Sequence, residues 1–448
     1  MEQSKSFYKT LMLIAFPIML QNLLSTSLSL VDTLMIGQLG ANQIAAVGIA
    51  NQIFFLINLF IFGIASGASI FFAQYYGAKK YEELEKITAL ALSISLIASI
   101  LFTIVSLIAP NYIVYLFTTQ TDVVEISSQY QRWVAISYMF FAISFTHGIA
   151  FRSIGKGNIP LIATFISLGL NAIGNYLLIF GIGPFPELGA EGAAIATTLS
   201  RFIEMVILLA VTYIKKEDFR IRNLAAFKWN KSFIKIYFVT CFPVLLNEML
   251  WSLGMTAYKI GYSRLGVDTL ACINVSEAIA NFFFVFVMGL GNATTIFLGQ
   301  ILGQGDINRA KLGARKTLQI ALFIGTIMGL FIALSASSFT SLFKVSEEIK
   351  QMATKCLYVK AFFQPLCSLN MVLFVGILRS GGDTRYSLIA ETSSVWFIGV
   401  TMAFLGAEFL KLPIYIVVAM TSLEEIAKII AVYPRYKSGK WVKSLAKH

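Results

Sequence analysis

The sequence predicts an all-α integral membrane protein with twelve transmembrane helices, arranged as two six-helix lobes related by a parallel pseudo-two-fold repeat. Hydrophobic residues make up 57% of its 448 residues and charged residues only 13%, a composition outside the usual range of soluble globular chains. Apolar runs long enough to cross about 30 Å of hydrocarbon as helices recur along the whole chain. No separate soluble domain fits between these runs, so the bilayer is the expected solvent.

The third observation behind this fold is an internal repeat. Short motifs of the first half return in the second half 226 or 227 residues later (266 − 40 and 379 − 152). The pairs are Phe16-Pro17 with Phe242-Pro243, Leu39-Gly40 with Leu265-Gly266, and Arg152-Ser153 with Arg379-Ser380. Because each half contains an even number of spans, both halves enter the membrane from the same side, and the repeat is parallel. Two similar lobes predict a pathway between them.

Twelve apolar runs, each bounded by glycine-rich or charged turns, are predicted as the membrane helices. In order, they are residues 11–39, 42–76, 86–109, 124–153, 158–183, 189–215, 232–264, 267–302, 308–338, 347–378, 384–406 and 411–433. The first run continues past Asp32 without a small-residue cleavage site, so it is predicted to be a retained span rather than a secretory signal.

The longest hydrophilic connector divides the chain into domains. Residues 1–215 form the predicted N-terminal lobe, residues 216–231 a cytoplasmic linker, and residues 232–448 the C-terminal lobe with a basic cytoplasmic tail. Pro17 and Pro243 lie early in the first helix of each lobe. Each is either a helix-start proline or the seed of a kink that bends the helix around a cavity, and the pattern leaves both readings open.

The basic residues that give the chain its net charge of +12 lie mainly in the loops. Lysine and arginine concentrate in alternate loops, such as those with Lys79 and Lys80, with Arg152 and with Arg379, whereas the opposite loops carry almost none. The positive-inside rule then places both termini in the cytoplasm of a multi-pass protein of the plasma (inner) membrane. The basic excess therefore indicates topology, with lipid contact as a second role, and argues against a nucleic-acid partner.

Ionisable residues inside apolar runs are costly and usually functional. Three acids lie deep in predicted spans: Asp32, Glu248 and Glu277. Each is a candidate site for a proton, Na⁺ or a cationic ligand, and each is also compatible with a structural hydrogen bond to a neighbouring helix.

Other charges within the spans are given local roles. Arg201 and Glu204 lie three residues apart on one helix face, and we expect them to pair with each other. Glu424, Glu425 and Lys428 are interpreted as a helix-end cluster that faces the cytoplasm.

A group of polar residues accompanies Asp32. Asn171 and Asn175 are four residues apart and share one face of the fifth predicted span, and Thr197 belongs to the sixth, across a short loop. Their oxygens and the carboxylate of Asp32 are hard ligands suited to a small cation such as Na⁺. Asparagine is also a common interhelical contact in membranes, and the pattern alone leaves the choice open.

Several stretches together resemble one family. They are Val31-Asp32-Thr33, Asn171-Ala172-Ile173-Gly174-Asn175, the run from Gly189 to Thr197, Asn247-Glu248, and Arg379-Ser380-Gly381-Gly382-Asp383-Thr384. In this order, and with the six-plus-six repeat, the chain resembles the multidrug and toxic compound extrusion (MATE) transporters over essentially its full length. The resemblance implies a secondary active antiporter that exports cationic or amphipathic organic compounds in exchange for H⁺ or Na⁺ by alternating access.

The resemblance also implies roles for individual residues. Asp32, Asn171, Asn175 and Thr197 match the cation site of the N-terminal lobe, and Glu248 matches the acid of the seventh helix. Two departures follow from comparison with the family pattern. Asn175 stands where the family often has Asp, and residues 362–368 lack a carboxylate that some relatives carry, so that Glu277 becomes the candidate second acid of the C-terminal lobe.

Two rival functions are weighed against this one. A flippase for lipid-linked intermediates, from the same superfamily, is expected to have a strongly basic cavity, whereas the deep charges here include acids. An intramembrane enzyme is disfavoured because the chain has only two histidines and lacks the HExxH and Walker A motifs. We therefore expect a monomeric transporter of small organic cations or amphipathic drugs that contacts membrane lipid and needs no cofactor beyond the coupling ion.

Overall fold

The structure is a computed structural model that describes residues 2–447, except for the side chains of residues 2–6, 28, 30 and 447. Within this part of the chain the secondary structure is helical, and no strand occurs. The first half contains the following helices: α1 (Glu2–Gly37), α2 (Ala41–Gly77), α3 (Tyr81–Ile108), α4 (Pro110–Tyr115), α5 (Thr121–Ser153), α6 (Asn158–Phe180) and α7 (Gly189–Ile214).

The second half repeats this pattern. Its helices are α8 (Lys231–Ser263), α9 (Val267–Gly303), α10 (Ile307–Ser341), α11 (Glu347–Leu378), α12 (Thr384–Phe409) and α13 (Ile414–Lys437). The end of α11, Val372–Leu378, is π-helical, and α12 contains π-helical stretches at Ser394–Val400 and Leu405–Phe409. Such wide turns interrupt the regular hydrogen-bond ladder and occur frequently at functional sites.

The predicted all-α membrane fold is confirmed. Each predicted span corresponds to one long helix, and eleven of the described helices are long and apolar enough to cross a membrane. The twelfth, α13, falls short of that apolarity because Glu424, Glu425 and Lys428 lie within its middle. The short helix α4, which begins at Pro110, was not predicted.

The internal repeat is visible in the helix boundaries. Helices α2 and α9 begin 226 residues apart and also end 226 residues apart (267 − 41 and 303 − 77). The residues that precede them, Gly40 and Gly266, have φ angles of 107° and 108°. Only glycine adopts this region without strain, so the repeated Leu-Gly motif encodes the same turn twice.

Contacts divide the chain into two compact units. The N-terminal unit is Leu20–Tyr237, and the C-terminal unit combines the chain up to Met19 with the chain from Phe238 onward. The start of α1 therefore packs in the C-terminal unit, where the ring centroids of Phe7 and Phe297 lie 5.0 Å apart. Helix α1 thus contributes to both units, and the contact units differ from the predicted lobes at this point.

The linker after α7 packs on the N-terminal unit. Phe219 is fully buried and contacts Phe151 edge to face, with 4.9 Å between the ring centroids. The Lys156 ammonium lies 2.6 Å from Glu217, and the backbone N–H of Arg222 donates to Glu85 at 2.6 Å. These contacts fix the linker to α3 and α5.

Candidate functional site

The N-terminal unit encloses a cavity of about 370 Å³. Helices α1, α2, α5, α6 and α7 all contribute to its wall, and every residue of the wall belongs to this unit. The volume lies in the range of small-molecule sites, which is roughly 300 to 1,000 Å³. The wall combines aromatic rings with hydroxyl, amide and charged side chains, so it offers both apolar and polar contacts.

Asp32 and its predicted partners meet at this cavity. Asn175 Nδ2 donates to Asp32 Oδ1 at 2.7 Å, and the same nitrogen lies 3.4 Å from Asn171 Oδ1. Asn171 Nδ2 lies 3.2 Å from Thr197 Oγ1. With the oxygen and nitrogen of its amide interchanged, Asn171 instead donates to Asp32 at 3.1 Å and accepts from Thr197. The structure therefore brings together all four residues that the sequence singled out.

Close packing of α6 and α7 creates this arrangement. A Cβ atom on Gly192 would lie 2.5 Å from Leu178 O, and one on Gly174 would lie 3.0 Å from Ala196 Cβ. The missing side chains let the two helices approach, as small residues do in membrane proteins. Asn171 and Asn175, one turn apart on α6, consequently face Thr197 on α7.

The donor set of this site suits a small cation. Asn171 is 3% exposed and Asn175 1% exposed. Asn175 Oδ1 is buried and has no hydrogen-bond partner among the described residues. An unpaired buried acceptor beside a carboxylate is a favourable ligand for Na⁺, which prefers oxygen donors as other hard cations do. Protonation of Asp32 would neutralise its carboxylate in place of Na⁺.

Two arginines also line the cavity, and sequence reasoning gave both a different role. Arg152, counted among the loop cations, lies in the last turn of α5 and reaches the cavity wall. Arg201, expected to pair with Glu204, donates to Ser137 at 2.8 Å, while Glu204 accepts from Thr164 at 2.6 Å.

One sequence signal could have identified Arg201. It lies four residues after Thr197, so the two side chains share one face of α7. A residue one turn from a predicted ligand belongs to the same surface, and both residues line the cavity.

In the C-terminal unit, the predicted acids lie in separate ion pairs. Glu248 accepts from Arg379 at 2.8 Å, and the Arg379 side chain is only 3% exposed. Arg379 is therefore a buried partner rather than the loop cation that the sequence suggested. Glu277 pairs with Lys259 at 2.9 Å in more exposed surroundings. Both acids already have a basic partner, so their charges are compensated.

A second charged cluster in this unit was assigned wrongly. Glu424, Glu425 and Lys428 lie inside α13 and are buried or nearly so, whereas a helix-end cluster facing the cytoplasm was expected. Lys428 Nζ lies 3.2 Å from Glu424 and 3.0 Å from Glu425. The hydroxyl of Tyr258 on α8 donates to Glu424, and Asn370 Nδ2 on α11 donates to Glu425 at 2.7 Å.

The spacing of these charges explains their burial. Lys428 follows Glu424 by four residues and Glu425 by three, so all three lie on one face of α13 and neutralise much of each other's charge. Three charged residues on one face of an otherwise apolar span are the sequence pattern that could have predicted this burial.

The two prolines lie where the sequence placed them. Pro17 is inside α1, Pro243 is inside α8, and both helices continue through the proline. A bending role for either residue stays a prediction.

Comparison with known proteins agrees with this architecture. The sequence profile of the MatE family matches residues 17–177 and 243–405, one match in each half. The probable multidrug resistance protein YoeA of Bacillus subtilis is 25% identical, over 91% of this chain and 89% of that protein. The probable multidrug resistance protein NorM of Thermotoga maritima is 23% identical, over 92% of this chain and 88% of that protein.

Solved structures show the same fold. An outward-facing multidrug resistance MATE family transporter of the MOP superfamily matches with a TM-score of 0.88 and 22% identity, over 96% of each chain. The family profile covers most of the chain, and the two matched stretches coincide with the two halves of the repeat. The chain therefore belongs to the MatE family and is a multi-pass membrane transporter of the multidrug and toxic compound extrusion type.

Proposed function

We propose that this protein is a secondary active antiporter that exports cationic or amphipathic organic compounds in exchange for inward-moving H⁺ or Na⁺ by alternating access. The observation that carries the proposal is the position of Asp32. Its carboxylate lines the same cavity as Asn171, Phe54 and Phe141, so a cation and an aromatic compound compete for one space. Competition for a shared site suffices to couple two opposite movements.

The relatives support the nature of the cargo. Several carry names that describe them as probable multidrug resistance proteins, so we expect this chain to transport drugs as well. We further propose that the protein is a monomer in the plasma membrane. Both termini are proposed to lie in the cytoplasm, because lysine and arginine concentrate in one set of loops. In this role the protein needs no cofactor and carries out no enzymatic reaction.

Either ion fits the donor set of the N-terminal unit. Asp32 supplies the one carboxylate among the four site residues, and the amides and Thr197 add neutral oxygens. A proton would bind Asp32 alone, whereas Na⁺ would also recruit the unpaired oxygen of Asn175. Glu248 and Glu277 remain candidates for a second acidic site in the C-terminal unit, although each must first leave its basic partner.

Reconstituted transport tests the proposal. Proteoliposomes with an imposed Na⁺ or pH gradient are assayed for movement of a fluorescent organic compound by wild type, Asp32→Asn and Glu248→Gln. We expect Asp32→Asn to abolish gradient-driven movement and Glu248→Gln to reduce it. Transport that persists unchanged in both variants rejects the carboxylate mechanism.

The flippase alternative has one observation in its favour. Arg152 and Arg201 line the cavity, and a basic wall suits a pyrophosphate headgroup. The same proteoliposomes distinguish the two functions: transfer of a labelled lipid-linked pyrophosphate, with no movement of organic compounds under any gradient, would favour the flippase.

A further inference from the structure

A second cavity of the N-terminal unit, the outer cavity, lies where α4 meets the start of α5. Its volume is about 300 Å³, and its wall consists of residues from these two helices. Seven of the eight wall residues are polar or charged, so the outer cavity suits a polar ligand. They are Asn111, Tyr115, Thr121, Glu125, Ser128, Gln129 and Arg132, with Val124 as the eighth. None of them lines the cavity of Asp32.

The outer cavity has one acid and one base in its wall. Glu125 and Arg132 are both exposed, and neither forms an ion pair with another residue that the structure describes. They lie seven residues apart, which places them on one face of α5 and about 10 Å apart along its axis. Two unpaired opposite charges on one face suit a ligand that itself carries both charges.

A buried hydroxyl lies between these two charges. Ser128 is 4% exposed, and its Oγ atom has no hydrogen-bond partner among the described residues. A buried hydroxyl without a partner costs free energy, so such a group calls for a ligand or water that satisfies it. Because a serine hydroxyl both donates and accepts, Ser128 Oγ can donate to a phosphate oxygen that enters the outer cavity.

The length of α5 places the outer cavity at the level of lipid headgroups. Helix α5 has 33 residues and is about 50 Å long, so its ends reach beyond the roughly 30 Å of hydrocarbon. The outer cavity occupies about the first three turns of this helix. No lysine or arginine occurs between Lys86 and Arg132, and the proposed topology therefore assigns this end of α5 to the outer leaflet.

The surface beside the outer cavity is apolar and aromatic. Tyr112 on α4 is 79% exposed, and Leu116, which follows α4, is 81% exposed. Exposed side chains of this kind are typical of the membrane interface, where they contact lipid. A ligand with a polar head and an apolar tail would contact both the outer cavity and this surface.

We propose that the outer cavity binds the headgroup of a zwitterionic phospholipid with a primary amine, such as phosphatidylethanolamine. Arg132, the deeper of the two charges, binds the phosphate together with Ser128, and Glu125 accepts from the ammonium group. This order matches the lipid, because its amine lies farther from the acyl chains than its phosphate does. Tyr112 and Leu116 then contact the acyl chains.

A matched pair of lipids tests this preference. Dioleoyl phosphatidylcholine differs from dioleoyl phosphatidylethanolamine only by three N-methyl groups, so it keeps both charges but has no N–H donor. Binding of each lipid to the purified full-length protein is measured by native mass spectrometry. We expect wild type to bind the ethanolamine lipid about tenfold more tightly, because its ammonium donates charge-assisted hydrogen bonds to Glu125.

Variants assign the preference to single side chains. Glu125→Gln should remove most of the preference while leaving the affinity for the choline lipid within about twofold, whereas Arg132→Gln should weaken both lipids about tenfold. Ser128→Ala should weaken both about threefold and leave the melting temperature unchanged, since Ser128 Oγ has no partner among the described residues. Glu187→Gln, which changes an exposed acid in the loop after α6, is the control and should bind both lipids as wild type does.

Three results would overturn the proposal. The first is equal binding of the two lipids by wild type, and the second is an equal loss for both lipids in Glu125→Gln. The third is competition by soluble O-phosphoethanolamine at the same concentration as the lipid, which would identify a free headgroup compound as the ligand. Since lipid binding requires no ion gradient, these outcomes are independent of whether the protein is an antiporter.

Discussion

Asp32 is the residue on which the proposed coupling depends. Its carboxylate accepts from Asn175 at 2.7 Å and lies on the cavity wall, where an entering cation can reach it. Sequence patterns identified this acid and its three polar partners because an acid in an apolar run is unusual. They did not identify Arg152, which was counted among the loop cations because it lies in the last turn of α5. They also missed Arg201, which was expected to pair with Glu204.

Replacing Asn175 with Asp tests the cation site. We expect Asn175→Asp to tighten Na⁺ binding about tenfold, because a second carboxylate adds charge to the donor set. The measurement is the rise in melting temperature with NaCl relative to choline chloride. Asn175→Gln, which keeps the amide, serves as the neutral control. A Na⁺ response no larger in Asn175→Asp than in wild type would contradict the cation site.

A glycine in the C-terminal unit offers a test of packing. A Cβ atom on Gly399 would collide with the hydroxyl of Tyr258, which donates to Glu424. Gly399→Ala should therefore lower the free energy of unfolding by about 1 to 3 kcal/mol through overpacking. In Gly169→Ala, where the added atom meets nothing within 4 Å, stability should stay close to wild type. Equal melting temperatures for the two variants would refute the contact.

At the scale of elements, the helices were predictable and their partners were not. Each long apolar run became one helix because backbone groups in lipid must bond within their own segment. The short helix α4 escaped prediction because six residues are too few for a periodic signal. Burial of the charges in α13 was missed because it depends on Tyr258 and Asn370, which come from α8 and α11.

The charged face of α13 gives a prediction at this scale. Lys428→Met leaves Glu424 and Glu425 without their shared cation, and removing one partner of a buried pair costs about 3 to 5 kcal/mol. We expect a large fall in melting temperature in detergent. The triple variant Glu424→Gln, Glu425→Gln, Lys428→Met should recover part of it. Full stability of Lys428→Met alone would show that the acids are not held by this lysine.

For the whole molecule, the repeat duplicates the scaffold but not the chemistry. The turns at Gly40 and Gly266 are nearly identical, whereas Asp32 has Tyr258 at its equivalent position (32 + 226). The N-terminal unit contains a cavity lined by two carboxylates, Asp32 and Glu204, and by two arginines, Arg152 and Arg201. In the C-terminal unit, Glu248 and Glu277 are each paired with a base. We therefore propose that cation and cargo exchange in the N-terminal unit.

Competition between cations and cargo for the cavity tests this central claim most directly. Binding of a fluorescent organic cation to purified wild type and Asp32→Asn is followed by fluorescence anisotropy while NaCl replaces choline chloride, and again while the pH is lowered. We predict that Na⁺ or protons weaken dye binding to wild type and leave binding to Asp32→Asn unchanged. Two results would contradict this prediction: dye affinity of wild type that changes with neither Na⁺ nor pH, or dye affinity that changes equally in wild type and Asp32→Asn.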